Sequence, residues 1–371
     1  MSLNGRQRVT IKTIHGRFTF DVQRFKDDKG QGSNYLSYTG QFEAGYESER
    51  LREWACYSAN RLSYHEVVKE IERVTGDRLL SAPRIRELVV SKAGQISQAQ
   101  AQQVKQTLQN ASAVPPLKEN IDVYDPASEE VLLMCDGISV KRQKARRSCV
   151  TPVSRPGKDP KRVTTDVVML QQTSGHFRYL MAGLNEETSL AEVLKAALIN
   201  EYEGYPPLNL VAITDGARNI RLLFEQVFAQ PVTLILDWYH LRKKCYELMS
   251  MIARNKAEKE THLQIILAHL WQGQTNEALA YLQTQVLVRN PTKFEELLTY
   301  LHKHTSEIIN YEKRQLAGKT IGSGRMEKGV DQTIGHRQKR KGLSWRDLGS
   351  RALALLKMAE LNHQWHTLWA F

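Results

Sequence analysis

The stretch Leu208–Ile220, LNLVAITDGARNI, decides how the middle of the chain folds. Its apolar run predicts a buried strand over Leu208–Thr214, and an amphipathic helix is predicted over Ala217–Phe228. Between them, Asp215 and Gly216 form a common turn signal, so Asp215 has an ordinary structural explanation. A functional role for this carboxylate requires that other carboxylates lie near the same strand end.

The elements around this stretch follow the order β-β-β-α-β-α-β. Apolar runs predict strands over Glu130–Val140, Val163–Thr173, Phe177–Leu184 and Val232–His240, and a helix over Ser189–Tyr202. The first three strands are predicted to be antiparallel, whereas the later strand–helix–strand units predict parallel pairing. This order is that of the ribonuclease-H-like fold, an α/β fold with a mixed sheet in which the first strand lies beside the fourth.

The amino-terminal part predicts a hairpin followed by helices. Arg8–Phe25 alternates apolar and polar residues, which is typical of a β-hairpin. Helical periodicity then predicts a helix over Tyr64–Thr75 and a second over Ala82–Val90 with Ser81 as its N-cap. This pair is either a DNA-binding helix-turn-helix or an ordinary helical hairpin. In the first case Arg84 and Arg86, at the start of the second helix, are the residues that reach the DNA groove.

We therefore predict an α/β catalytic domain with an all-α insertion, preceded by two smaller regions. The predicted boundaries are 1–47 for the β-hairpin region, 48–118 for the helix-turn-helix region with a Gln/Ala-rich linker helix, 119–240 with 318–371 for the catalytic domain, and 241–317 for the helical insertion. The linker helix begins near Ser97 and ends before Pro115 and Pro116.

The positive charge is concentrated in two segments. The net charge is +12, and Lys141–Arg162 holds nine Lys and Arg against one acid, while Lys313–Arg346 holds ten against two. Such segments are typical of a polyanion-binding protein, although solvated basic loops also contain them. Nucleic acid is the partner they favour, ahead of acidic protein or a membrane surface. The absence of long apolar runs predicts no membrane helix, and four scattered cysteines without a CxxC pair favour a reducing cytoplasm over zinc or disulfides.

The predicted topology gives Asp215 two acidic neighbours. Asp136 lies in the first strand, which the fold places beside the strand that ends at Asp215, and Glu327 lies in a helix after the insertion. Oxygen ligands suit Mg²⁺, and two such ions held by carboxylates can activate a water or a 3′-hydroxyl for in-line displacement at phosphorus. Without cations, three carboxylates in one pocket would repel each other. Asp136, Asp215 and Glu327 are therefore the predicted catalytic residues and metal ligands, for two Mg²⁺ or Mn²⁺ ions.

The chain resembles the DDE-type insertion-sequence transposases, particularly the prokaryotic Kra and Lre groups, which are distant relatives of the Mutator type. The matching motifs are DGISV around Asp136, ITDGARNI around Asp215, LDWYHLRKK around Asp237 and GSGRMEKGVDQTIGHRQKRKGLSWRDLGSRAL around Glu327. The last motif is the longest and the most specific. The resemblance implies cleavage and transfer of the ends of a mobile element, with double-stranded DNA as partner, a homodimer or higher oligomer on DNA, and a cytoplasmic, nucleoid-associated location in a prokaryote.

Several further residues have two explanations each. Asp237 either caps the next helix or approaches the metals, and His240 either contacts the scissile phosphate or fills a crevice, so both are candidate catalytic or phosphate-contacting residues. Trp345 either anchors a helix to the core or stacks on a flipped base. Predicted DNA contacts, besides Arg84 and Arg86, are Lys141, Arg142, Lys144, Arg337, Lys339, Arg340 and Lys341.

Two other functions remain open at this point. A nuclease or junction resolvase with the same fold would need the acids but no binding region specific for element ends. A non-catalytic DNA-binding derivative of such an enzyme would not need the acids at all. The presence of Asp136, Asp215 and Glu327 favours catalysis over this last alternative.

Overall fold

The computed structural model describes residues 2–26, 30–34, 45–110, 113–144, 161–184 and 188–369. They form two compact units. One, here the hairpin unit, comprises Met1–Ala99, Val140–Val163 and Gln332–Phe371; the other, here the sheet unit, comprises Gln100–Ser139 and Thr164–Asp331. These limits differ from the predicted domain boundaries, which stay predictions.

The helices and strands are numbered in chain order. The strands are β1 Ser2–Thr13, β2 Gly16–Lys26, β3 Gly32–Asn34, β4 Val131–Lys141, β5 Arg162–Gln171, β6 Phe177–Leu180, β7 Leu210–Thr214 and β8 Thr233–Leu236. The helices are α1 Glu49–Ala59, α2 Tyr64–Thr75, α3 Ala82–Asn110, α4 Leu190–Tyr202, α5 Arg218–Val227, α6 Trp238–Ile252, α7 Lys256–Trp271, α8 Thr275–Gln285, α9 Pro291–Lys303, α10 Tyr311–Leu316, α11 Gly324–Val330, α12 His336–Gln338, α13 Asp347–Leu361 and α14 Trp365–Leu368. A π-helical turn, Asp331–Gly335, follows α11.

The hairpin unit contains the predicted β-hairpin. Strands β1 and β2 pair antiparallel from Ser2 with Lys26 to Thr13 with Gly16, so the hairpin is longer than the predicted Arg8–Phe25. The short strand β3 pairs with β2 and completes a three-stranded sheet.

Helix α2 of the hairpin unit has the predicted bounds because both of its ends are encoded locally. The Ser63 hydroxyl accepts the Glu66 amide and the Glu66 carboxylate accepts the Ser63 amide, which is a capping box. Gly76 ends the helix at φ 74°, a left-handed conformation that favours glycine. The predicted N-cap of the next helix is also confirmed, since the Ser81 hydroxyl accepts the Arg84 amide.

The prediction of two separate helices after Ser81 was wrong. Helix α3 runs without a break for 29 residues, so the predicted second helix over Ala82–Val90 and the predicted linker helix are one element. The glycine between them, Gly94, costs only about 1 kcal/mol relative to alanine in a helix, which the flanking helix-forming residues offset.

The sheet unit contains a five-stranded mixed sheet in the order β6-β5-β4-β7-β8. Strand β4 pairs parallel with β7, β7 pairs parallel with β8, and β5 pairs antiparallel with β6. The prediction that the first strand of this sheet lies beside the fourth is confirmed. All residues of β7 are buried, as expected for a central parallel strand covered on both faces.

The last strand is shorter than predicted. Strand β8 ends at Leu236, and Asp237 is the N-cap of helix α6, so the strand does not continue to His240. After it, helices α6 to α10 make the predicted insertion over 241–317 helical in the part that the structure describes. No helix among the described residues is both long enough and apolar enough to cross a membrane.

Candidate active site

The parallel strands of the sheet unit place three aspartates in one row. The last pair of β4 and β7 is Met134 with Ile213, and Asp136 and Asp215 each lie two residues further along. The last pair of β7 and β8 is Thr214 with Leu236, and Asp215 and Asp237 each follow by one residue. Since neighbouring strands lie about 4.8 Å apart, the register brings Asp136, Asp215 and Asp237 to the same edge of the sheet.

Asp215 occupies a tight turn whose geometry the structure fixes closely. Its Oδ1 accepts the Ala217 amide at 2.8 Å, and the Thr214 hydroxyl accepts the Gly216 amide at 3.2 Å. Gly216 has φ 81°, which favours glycine. The turn thus uses one carboxylate oxygen of Asp215 in folding, and no hydrogen bond from a described residue reaches the other.

Asp136 is a half-buried carboxylate close to other negative charges. Its Oδ1 accepts the Gly137 amide at 2.7 Å. Burial raises the pKa of Asp136, the Gly137 hydrogen bond opposes this, and the charges of Asp215 and Glu327 raise the pKa further. The charges of Asp215 and Glu327 therefore both act on Asp136.

Asp237 is the N-cap of helix α6. Its Oδ1 accepts the amides of Tyr239 at 2.6 Å and His240 at 3.0 Å, and its Oδ2 accepts both the amide and the hydroxyl of Ser323. Burial alone would raise the pKa of Asp237, but the hydrogen bonds from His240 and Ser323 lower it to about 2. Of the two roles considered for Asp237, the cap is confirmed.

His240 lies between Asp237 and Glu327. Its Nδ1 is 3.5 Å from Asp237 Oδ2, and its Nε2 is 3.8 Å from Glu327 Oε1. The Asp237 carboxylate raises the pKa of His240, and the charges of Glu327 and Asp215 add to this against the lowering effect of burial. The raised pKa favours the cationic form of the imidazole, which lies between these two carboxylates.

Glu327 is the most exposed of the predicted catalytic acids. It lies in the first turn of the short helix α11, and its side chain is 57% exposed. The loop before this helix packs tightly against the site, because a Cβ at Gly322 would lie 2.5 Å from the Tyr239 ring. Together with the Ser323 bonds to Asp237, this contact fixes the start of α11 while the Glu327 carboxylate faces solvent.

The carboxylates of this site are suitable ligands for a hard cation, although their side chains do not lie close enough together to coordinate one ion. Over residues 2–26, 30–34, 45–110, 113–144, 161–184 and 188–369, no three His, Cys, Asp or Glu side chains are close enough to hold one metal ion. Mg²⁺ keeps several waters and needs only one or two protein carboxylates. Asp136 and Asp215 fit that requirement, and a cation would relieve the repulsion that raises the pKa of Asp136.

The two arginines predicted to reach DNA differ in the structure. Arg84 donates from Nε and Nη2 to Glu47 and from Nη1 to Glu87, so its guanidinium is already occupied by carboxylates. Arg86 is exposed. Within the hairpin unit, Arg86 is therefore the better placed of the two for contact with a phosphate or a base edge.

The first basic segment is described only at its ends. Lys141 and Lys144 are exposed, and Arg142 forms an ion pair of 2.7 Å with Asp347. The basic residues between 145 and 160 lie outside the described residues. Of the residues of this segment that are predicted to contact DNA, only Lys141 and Lys144 are exposed and form no ion pair with a described residue.

The second basic segment separates into buried and exposed residues. Arg337 was predicted to contact phosphate, but its guanidinium is buried, donates from Nε to the Ala59 carbonyl oxygen at 3.0 Å and lies over the Trp345 ring. Arg340 is exposed and donates to the carbonyl oxygens of His336 and Arg61. Lys339 and Lys341 are exposed, so they are the residues of this segment best suited to phosphate contact.

Trp345 anchors the segment instead of extending into solvent. Its side chain is buried, and its indole N–H donates to the Gln338 carbonyl oxygen at 3.0 Å. Of the two explanations for Trp345, a packing role is the one the structure supports.

Trp345→Phe is expected to lower the free energy of unfolding by about 1 kcal/mol, because it leaves the buried Gln338 carbonyl without its indole donor. Thermal and urea unfolding measure the loss. DNA affinity, measured in parallel, should stay at the wild-type value, whereas a large loss of affinity with unchanged stability would favour base stacking.

Sequence reasoning missed a buried polar cluster formed by Arg221, His304 and Glu307, which packs against the Asp215 turn. The HKH motif at His302–His304 marked two histidines without distinguishing them. In the structure His302 is exposed and His304 is buried. Helical phase was the only available signal, since His304 is one turn from the apolar Tyr300 and Leu301.

No protein-family model matches the chain, and a search among curated proteins finds no significant match.

Proposed function

We propose that the chain is a DDE-type transposase that cleaves DNA at the ends of an insertion element and transfers the ends to a target. The sheet unit is then a ribonuclease-H-like catalytic domain, with Asp136, Asp215 and Glu327 as the ligands of two Mg²⁺ or Mn²⁺ ions. The observation that supports this most strongly is that Asp136 and Asp215 lie side by side on adjacent parallel strands, at one edge of the mixed sheet. The charges of Asp215 and Glu327 both raise the pKa of Asp136.

In this proposal each side chain has a definite task. Bound divalent ions would supply Lewis-acid activation of the attacking hydroxyl and stabilisation of the leaving oxygen. Asp136 and Asp215 offer carboxylate oxygens from fixed strand ends, and Glu327 offers a third from a helix start that Ser323 and Gly322 hold in place. His240, with its raised pKa, offers an N–H donor to a phosphate oxygen.

The reaction consists of two displacements at phosphorus. Water first forms a bond to phosphorus and the bond to the 3′-oxygen breaks, which leaves a 3′-hydroxyl on the element and a 5′-phosphate on the flanking strand. The 3′-hydroxyl then loses its proton and bonds to a target phosphorus, and the displaced target 3′-oxygen takes up a proton. Both steps would use the same three carboxylates, those of Asp136, Asp215 and Glu327.

The DNA would be bound by the basic residues of the hairpin unit and by its helices. Helices α2 and α3 are the proposed helix-turn-helix for element ends, with Arg86 as its exposed basic residue at the start of α3. Lys141, Lys144, Lys339 and Lys341 are exposed and would neutralise backbone phosphates. We propose that the protein acts on DNA in the cytoplasm of a prokaryote, as a homodimer or a higher oligomer.

The double substitution Lys339→Ala, Lys341→Ala is expected to weaken binding to all DNA sequences alike. The plot of log affinity against log salt concentration has a negative slope, and its magnitude should decrease by about 0.9 for each lysine that contacts a phosphate. Fluorescence anisotropy at several salt concentrations measures it. The matched control is Lys256→Ala, Lys303→Ala, which removes two exposed lysines from the helical insertion; an equal fall in that control would mean that the effect is one of net charge alone.

The function is tested with a supercoiled plasmid that carries the coding region and its native flanking DNA. The protein is incubated with this donor, a second target plasmid and Mg²⁺ or Mn²⁺, and nicks and joints are mapped by primer extension and sequencing. We expect nicks with 3′-hydroxyls at matching positions on both flanks, and joints between these ends and the target plasmid with a short duplication.

Two other outcomes would contradict the proposal in distinct ways. Nicks without joints would identify a nuclease or resolvase. Binding to the flanking DNA without nicks in either metal would identify a non-catalytic DNA-binding protein.

A further inference from the structure

A buried polar cluster lies behind the Asp215 turn in the sheet unit. Arg221 Nη2 is 2.6 Å from Glu307 Oε1, and His304 Nδ1 is 2.7 Å from Glu307 Oε2. The side chains of His304 and Glu307 are 1% and 5% exposed, and that of Arg221 is 27% exposed. The residues come from helix α5, which follows the Asp215 turn, and from the segment after α9 in the helical insertion.

Glu307 is the shared acceptor of the cluster. Arg221 and the His304 Nδ1–H both donate to Glu307, one to each carboxylate oxygen, so the imidazole plane and its Nε2 edge are fixed. Arg221 Nη2 is also 2.8 Å from His304 Nδ1, which is a contact between two donors when the Nδ1 proton is donated to Glu307. The short bond to Glu307 holds the histidine ring in one orientation, although Arg221 Nε has no hydrogen-bond partner among the described residues.

The fixed edge of the His304 ring packs against the Asp-Gly turn. A Cβ built on Gly216 would lie 2.4 Å from His304 Cε1 and 3.0 Å from its Nε2, so only a glycine leaves room for the ring. The same segment reaches the next strand, because the Leu236 amide donates to the Glu307 carbonyl oxygen at 2.9 Å, one residue before Asp237. His304 and Glu307 thus contact the ends of both β7 and β8.

We propose that Arg221, His304 and Glu307 are positioning residues that hold the Asp215 carboxylate in place at the sheet edge. The helical insertion is then part of the site, since it supplies two of the three residues. A buried ion pair is weak evidence for stability, because well-packed apolar residues often stabilise as much. Contact with the turn that carries Asp215 gives this cluster a role that apolar packing would not fill. The catalytic consequence rests on the proposed function, whereas the effect on the turn does not.

The test compares His304→Leu with His304→Asn and with His302→Leu. Leucine removes the donor to Glu307 at similar volume, asparagine retains a donor, and His302 is the exposed matched control two residues away. Amide hydrogen exchange is followed at Gly216 and Ala217, with Ala127, which closes a separate aspartate turn on Asp125, as internal reference.

We expect exchange at Gly216 and Ala217 to become roughly tenfold faster in His304→Leu, the size expected from the loss of one hydrogen bond, and to stay near wild type in the other two variants. Exchange at Ala127 should not change. In the cleavage assay, the Mg²⁺ concentration for half-maximal rate should rise about 10-fold in His304→Leu, as for loss of a residue that orients a metal ligand, and His304→Asn should restore most of it.

Unchanged exchange at the turn in folded His304→Leu would overturn the proposal, whatever the activity. If the wild-type protein neither nicks nor joins DNA, the proposed function fails, and the exchange data still decide whether the cluster holds the turn. Should His304→Leu not fold, Arg221→Met removes the partly exposed member instead, and the same acceleration at Gly216 and Ala217 is expected. Its absence there would equally overturn the proposal.

Discussion

Asp136→Asn is expected to lower metal-dependent strand cleavage by about 10³-fold while DNA affinity stays at the wild-type value. The amide keeps an oxygen that accepts the Gly137 amide, so the strand end is preserved and only the charge is lost. A neutral oxygen is a far weaker ligand for Mg²⁺ than a carboxylate. Cleavage of the donor plasmid, with gel-shift binding to the same DNA, measures the two effects separately.

Stability should move in the opposite direction from activity in this variant. The pKa of Asp136 is raised first by burial and also by Asp215 and Glu327, so the charged form is disfavoured in the folded protein. Removing the charge therefore leaves the melting temperature in EDTA at or above the wild-type value. The matched control, Asp122→Asn, changes an exposed aspartate that accepts the Tyr124 amide in a similar turn, and it should leave cleavage and stability unchanged. Wild-type cleavage by Asp136→Asn would remove this residue from the site.

The sequence predicted those elements whose ends are encoded by neighbouring residues. Helix α2 has the predicted bounds because Ser63, Glu66 and Gly76 form its caps within a few residues of it. The central strand and its turn were predicted for the same reason, since an apolar run followed by Asp215 and Gly216 needs no distant partner. The pairing of β4 with β7 followed from the order of elements and was also predicted correctly.

What the sequence could not predict depends on partners far away along the chain. Arg337 resembled a phosphate contact in a basic run, yet it is buried against the carbonyl oxygen of Ala59, a residue 278 positions away. The contact of Arg221 with His304 joins residues 83 positions apart, and only helical phase distinguishes His304 from the exposed His302 in the sequence. Among the candidate site residues, Asp237 shows the limit most clearly. Its cap follows from local sequence, whereas its bonds to Ser323 arise from tertiary packing.

Asp237→Asn is expected to lower the free energy of unfolding by about 3 kcal/mol at neutral pH. One oxygen of the carboxylate accepts two helix amides, and the other accepts the Ser323 amide and hydroxyl, so both sides of the group face donors. An asparagine has only one acceptor oxygen, and in either orientation its NH₂ group meets N–H or O–H donors in a buried place. Urea unfolding at pH 7 measures the loss, with Asp122→Asn as the control that should stay at the wild-type value.

The pH dependence of that difference tests its cause. Burial would raise the pKa of Asp237, but the His240 and Ser323 hydrogen bonds lower it from 3.8 to about 2. A carboxyl group with a lowered pKa stabilises the fold above its unfolded pKa, and the contribution is lost as pH falls towards the folded pKa. This charge-dependent part amounts to about 2 kcal/mol, so the difference between wild type and Asp237→Asn should shrink by about that amount as pH falls from about 4 to below 2. A difference that stays constant as pH falls from about 4 to 2 would show that the loss comes from hydrogen-bond geometry and not from the charge of Asp237.

Because Ser323 precedes the helix that carries Glu327, the same variant should also lower cleavage at neutral pH, where Asp237 is ionised and holds that helix start.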